Sequence, residues 1–146
     1  MKQNFERLKS FFENYSEDKL RGLTGESSSE YIHHYLKRFK QGGALLDSSR
    51  LLEIGCGEGK CTQQLARMLP RSRITAVDIS EENIKIAKKH YSMDNIEYKV
   101  ANVVDPAWRP TGRYDLIFSF SVIQYFDNQS YASCQKKLYD SLNEGG

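Results

Sequence analysis

The spacing of apolar residues along this chain changes character near residue 50. Before it, Phe5, Leu8, Phe12 and Tyr15 recur at three- and four-residue intervals with charged residues between them, which predicts an amphipathic helix over 5–15. A polar loop with Gly22 and Gly25 follows. Ser27 with Glu30 forms a capping box that opens a second helix, whose apolar side is Ile32, Tyr35, Leu36 and Phe39. This helix runs to Gln41 and is stopped by Gly42 and Gly43.

After residue 50 the apolar residues come in short runs. Leu51, Leu52 and Ile54 break into Gly55, Gly57 and Gly59, the pattern of a buried strand that turns sharply. A helix over 60–69 carries Leu65, Ala66 and Leu69 on its apolar side and ends at Pro70. A second strand is expected over 73–79, ending in Asp78 and Ile79. Ser80 then caps a helix whose first turn holds Glu81 and Glu82 and whose inward residues are Ile84, Ala87 and Tyr91. A third strand is predicted over 96–101, followed by an irregular loop over 105–112 in which Trp108 is read as a core plug. A fourth strand is predicted over 114–121, apolar on both faces apart from its serines. Asn128 or Gln129 opens a last helix, with Tyr131, Cys134, Leu138 and Leu142 as its buried face and Gly145 and Gly146 as its stop.

Strand and helix alternating four times define an α/β chain with a Rossmann-like parallel sheet, helices on both faces and a ligand at the strands' C-terminal ends. With 146 residues the chain has room for one domain. Residues 1–43 are expected to form a helical lid or cap on the ligand edge, and 50–146 the α/β core. The 21 basic and 19 acidic residues leave a charge of only +2, without the basic stripe of a nucleic-acid partner. Three irregularly spaced cysteines fit reduced thiols in a cytoplasmic protein. No run approaches the ~20 apolar residues of a membrane span, and the polar N-terminus is unlike a secretory signal. His33 and His34 lack a third ligand, so no metal is expected.

The glycine turn is the centre of the candidate chemistry. Glycines at alternate positions reach left-handed conformations and offer no Cβ to repel a small molecule, and the following helix aims its positive end at the turn. The dinucleotide fingerprint requires a third glycine where Lys60 stands, which argues against an NAD site. Asp78 lies about 20 residues past the turn, where a nucleoside site places the acid that accepts both ribose hydroxyls. Asn102 closes the third strand, and its amide oxygen can accept from a purine amino group or serve as a strand-end turn. Glu53, Asp78, Asn102 and Ser119 therefore gather at the strand ends.

With Glu53 before Gly55, Gly57 and Gly59, the sequence resembles the class I S-adenosylmethionine-dependent methyltransferases. The resemblance covers residues 51–146. It implies that Gly55 and Gly57, with Cys56 between them, pass along the methionine and ribose portion, and that Asp78 holds the ribose. It further implies that Ile79 covers the adenine, that Asn102 and Val103 read it, and that the Ser119 backbone meets the methionine amino group. Cys56 itself is read as a small packing residue rather than a nucleophile. Tyr15, Gln124 and Tyr125 are the candidates beside the transferred methyl, where an aromatic face stabilises a sulfonium. The implied activity is methyl transfer to a small-molecule acceptor by in-line displacement, with no assigned general base. In the usual pattern three further strands follow, so the chain is expected to be the N-terminal portion of a longer protein or a shortened isoform. Rival readings are a non-catalytic S-adenosylmethionine-binding protein of the same fold, an NAD-dependent oxidoreductase and, less plausibly, a spermidine-synthase-like transferase.

Overall fold

The computed structural model describes residues 37, 38, 41, 48–120 and 122–144. Its elements are β1 (Arg50–Ile54), α1 (Lys60–Met68), β2 (Arg73–Asp78), α2 (Glu81–His90), β3 (Ile96–Val100), β4 (Leu116–Ser119), a 3-10 turn (Ile123–Tyr125) and α3 (Asn128–Tyr139). The N-terminal lid lies outside the described residues. Only Lys37, Arg38 and Gln41 of the predicted second helix fall within them, and all three are helical and exposed.

The four strands are parallel in the order β3-β2-β1-β4. The chain moves outward from β1 to β3 and then returns to the other side of β1. That reversal opens a crevice at the carboxyl ends of β1 and β4, where this architecture binds ligands. Central β1 has Leu51, Leu52 and Ile54 all buried because both of its faces are covered. One face packs Leu51, Ile74, Ala76 and Tyr98 beneath α1 and α2. The opposite face packs Leu52, Ile54 and Val77 against Val103, Val104, Tyr114 and Cys134 of α3. Each large aliphatic side chain so buried contributes roughly 1.5–3 kcal/mol.

Caps fix the helices in register with the sheet. Ser80 Oγ accepts from Asn83 N, and Asp127 Oδ1 accepts from Ser130 N. The amide of Asn95, just before β3, donates to the carbonyls of Ala66, Leu69 and Ser72, tying the end of α1 to the neighbouring strand.

Three elements differ from the sequence expectation. The fourth strand is shorter: the Asp115 carboxylate takes the Arg50 N–H at 2.7 Å, and Tyr114 pairs instead with Leu142 after α3. Tyr91 is the C-cap of α2 and only half-buried, so the inward face of that helix is Ile84 and Ala87 with Asn83. Tyr131 is 42 % exposed, so α3 buries Cys134 and Lys137 rather than Tyr131. Of the face that helical spacing predicted, Cys134 is buried and Leu138 half-buried, Leu142 lies beyond the helix, and the spacing gave no sign that a lysine shares the face.

Candidate functional site

The turn leaving β1 is hooked to β2, since the N–H groups of Gly55 and Cys56 both donate to Val77 O at 2.7 and 3.1 Å. Gly55, Gly57 and Gly59 all have positive φ, at 77°, 53° and 85°. Their surroundings differ. A Cβ on Gly59 would meet Tyr98 Oη at 2.7 Å and Ala87 Cβ at 2.8 Å, and one on Gly55 would collide with the Val122 side chain. Nothing lies within 4 Å of a Cβ placed on Gly57. The sequence reading opened all three glycines to a ligand; packing fills the Cβ position at two and leaves it clear at Gly57.

Asp78, at the end of β2, reaches back to this turn. Its Oδ2 accepts from Gly57 N at 2.8 Å and its Oδ1 from Ser80 N at 2.9 Å. A carboxylate has about four acceptor sites. Gly57 N and Ser80 N each take one site, and the Asn83 side chain and Ile79 N–H also donate to this carboxylate, so a vicinal diol would share its acceptors with them. Burial raises its carboxyl above the ordinary range, opposed by hydrogen bonds from Ser80, Gly57, Asn83 and Ile79. Ile79 itself is half-buried directly after the acid.

Glu53 is 3 % exposed beneath α1 and accepts from Thr62 Oγ1 at 2.7 Å. Burial pushes its carboxyl from 4.5 up to about 7, with the Thr62 hydroxyl opposing and the Asp78 charge adding to the rise. The Cys56 thiol is likewise held well above its ordinary range, by burial first and then by Glu53 and Asp78, in keeping with a packing role. A carboxyl that titrates later in the fold than in the unfolded chain stabilises the fold only while protonated. Stability should therefore decline by about 3 kcal/mol as pH rises from about 4.5 to about 7. The Glu53→Gln variant should lose most of that slope, and urea unfolding of both proteins at pH 5 to 8 measures it. Parallel curves would exclude Glu53 as its source.

Beyond β3, Ala101 N donates to Asp78 O, which sets Asn102 beside the end of β2. Asn102 Oδ1 accepts from Val104 N at 3.2 Å, so the side chain does act as a strand-end turn, with one acceptor site left. Val103 is buried, and its carbonyl accepts from Lys137 Nζ. At the end of β4, Ser119 stands in register with Ile54, and its hydroxyl is buried without a hydrogen-bond partner. Val122, after β4, covers Gly55, and Gln124 and Tyr125 lie in the exposed 3-10 segment that follows it. Tyr15 lies outside the described residues.

A cavity of about 240 Å³ opens on the α3 face, walled by Ile54, Ile117, Phe126, Cys134 and Leu138 with Ser119 at its rim. Of the described site residues, only Ser119 lines it. Glu53, Gly57 and Asp78 meet instead on the side of α1, and Asn102 follows from the adjoining strand. Sequence reasoning missed Thr62, Tyr98 and Lys137. Thr62 had one signal, its place on the buried stripe of α1 one turn before Leu65 and Ala66.

A parallel α/β sheet whose first strand ends in a glycine turn, and whose second ends in a carboxylate bonded to that turn, has the architecture of a class I S-adenosylmethionine-dependent methyltransferase. Residues 51–146 match the family described as "Methyltransferase domain", and the chain belongs to that family. It is 34 % identical over 96 residues to the malonyl-[acyl-carrier protein] O-methyltransferase of Bacillus cereus, covering 66 % of this chain and 35 % of that protein. It is 32 % identical over 101 residues to the trans-aconitate 2-methyltransferase of Rhodopseudomonas palustris, covering 68 % of this chain and 37 % of the relative. Among solved structures, PKMT2 from Rickettsia typhi in complex with AdoHcy superimposes with a TM-score of 0.63 at 28 % identity, over 70 % of this chain and 20 % of that one. The chain thus spans about a third of the length of these curated relatives. Among the described residues no helix is long and apolar enough to cross a membrane, and no group of side chains is arranged to hold a metal ion.

Proposed function

We propose that this chain binds S-adenosylmethionine and serves methyl transfer to a small-molecule acceptor, with 50–146 as the cofactor core and 1–43 as a lid or cap. The observation that carries the reading is the Asp78 carboxylate at the end of β2, bonded to Gly57 N beside the open Cα of Gly57. These residues fit an adenosyl ligand. Asp78 would take the ribose diol, Gly55, Cys56 and Gly57 would border the ribose and methionine portion, and Ile79 would cover the base. Asn102 and Val103 would read the base edge, and the Ser119 backbone would receive the methionine amino group. Glu53 would support the turn from beneath through its hydrogen bond from Thr62 of α1.

The bound sulfonium supplies an already activated methyl group, so the protein's task is to align a nucleophile with it. The turn and Asp78 fix the ribose. Gln124 and Tyr125, in the 3-10 segment after Val122, are the candidates to flank the reacting carbon, together with Tyr15. The names of the relatives support a small acceptor group, since one specifies a malonyl group on acyl-carrier protein and the other trans-aconitate. A cytoplasmic setting agrees with the three free thiols at Cys56, Cys61 and Cys134.

Calorimetry with S-adenosylmethionine, S-adenosylhomocysteine and NAD tests this reading before any acceptor is known. Binding of the first two without NAD is the expected result. Preference for NAD, or no binding of either adenosyl ligand, would overturn it.

A further inference from the structure

The most buried cation among the described residues lies outside the site so far described. Lys137, on α3, is only 8 % exposed, yet no carboxylate of the described residues is within salt-bridge distance of it. Its Nζ donates instead to Val103 O at 2.9 Å and to Asp105 O at 2.8 Å, and it stands 5.6 Å from the centroid of the Trp108 ring. Burying an ammonium is costly unless its protons are used. Here two carbonyls and an aromatic face share them.

Both carbonyls belong to the loop that follows β3. That loop is a short series of turns: Val104 N donates to Asn102 Oδ1, Asp105 N to Asn102 O and Trp108 N to Asp105 O. Among the described residues Lys137 alone bonds the Val103 and Asp105 carbonyls from another element, and it grips the loop on either side of Val104. One turn earlier on α3, Cys134 packs in the same cluster as Val103 and Val104. The helix after β4 therefore determines how the segment after β3 sits.

We infer that Lys137 is a positioning residue for base recognition: its ammonium holds the backbone that presents Asn102 and Val103 to the purine edge. This rests on the adenosyl reading above. Lys137 touches the loop and not the ligand. Its removal should therefore blur the choice of base more than it weakens binding in general. A methionine of similar length would fill the space while leaving two carbonyls unsatisfied. An arginine would restore the donors.

The test compares S-adenosylhomocysteine with S-inosylhomocysteine, in which a carbonyl replaces the purine amino group, on the full chain. For Lys137→Met we expect affinity for the adenosyl ligand to fall about tenfold and the adenosyl-to-inosyl preference to shrink about fivefold, the scale of one or two charge-assisted hydrogen bonds. Lys137→Arg should recover most of that preference. Amide exchange at Val104 and Asp105 should quicken in Lys137→Met while Leu52 and Val77 keep their protection, a readout that requires no ligand. If Lys137→Met fails to fold, Lys137→Gln, which can still reach one carbonyl, should show the same loss of preference in smaller measure. Equal weakening of both ligands, or an unchanged preference, would overturn the assignment. Failure of the wild type to bind either ligand would instead remove the adenosyl reading, and this inference with it.

Discussion

Replacing Asp78 by alanine is expected to lower affinity for S-adenosylhomocysteine at least tenfold, about 1.4 kcal/mol or more, because charge-assisted hydrogen bonds contribute about 1.5–3 kcal/mol each. Two separate losses lead to that figure. The first is the carboxylate as an acceptor for the ribose hydroxyls. The second is internal: Gly57 N and Ser80 N both donate to this side chain, and Ser80 is fully buried, so its N–H would lose its partner without gaining water. The turn would then loosen on the side where a ribose must sit. Asp78→Asn separates the two, since an amide keeps one acceptor oxygen but turns a donor toward one of those N–H groups. It should bind more weakly than the wild type while unfolding at a urea concentration closer to it than the alanine variant does. Unchanged calorimetric affinity in the alanine variant would show that the ribose is not held here.

The strands and helices of 50–144 were legible because each signal is local. An apolar run that breaks at a glycine, a serine two or three residues before an unpaired N–H, and an acid at a strand end all depend on near neighbours in sequence. The side of the sheet on which Glu53 falls was legible too, since alternation along β1 fixes it once Leu52 and Ile54 share the other face. Contacts between distant segments were not. Thr62 under Glu53 and Tyr98 against Gly59 join elements 9 and 39 residues apart. The grip of Lys137 on Val103 spans 34. A lysine in a helix reads as a solvated charge from sequence alone. Its burial depends on a loop whose path is irregular and carries no period. The acid of the resembling family's third strand end is Asn102 here, and its oxygen is partly occupied by Val104 N. A purine amino group would have to use the remaining acceptor site.

The three glycines of the turn should separate under mutation. Gly59→Ala places a Cβ between Tyr98 and Ala87 at a φ of +85°. Left-handed strain of about 1–2 kcal/mol and overpacking of about 1–3 kcal/mol together give an expected loss of about 2–5 kcal/mol of stability. The contact cannot relax easily, because Tyr98 Oη is also hydrogen-bonding distance from Gly59 O and Tyr91 O, both at 3.1 Å, and Ala87 is fixed in α2. Gly57→Ala meets no protein atom within 4 Å, so its cost in stability should be only the strain, about 1 kcal/mol. Its methyl group would project into the space left open beside Asp78, and adenosyl affinity should fall by more than that strain explains. Urea unfolding and calorimetry on the two variants give a crossed pattern: Gly59→Ala the less stable, Gly57→Ala the weaker binder for its stability. If Gly59→Ala unfolds with the wild type, the junction of α1, α2 and β3 is not as tight as its contacts imply. If Gly57→Ala binds as the wild type does, no ligand passes close to that carbon, and the glycine is there for its φ alone.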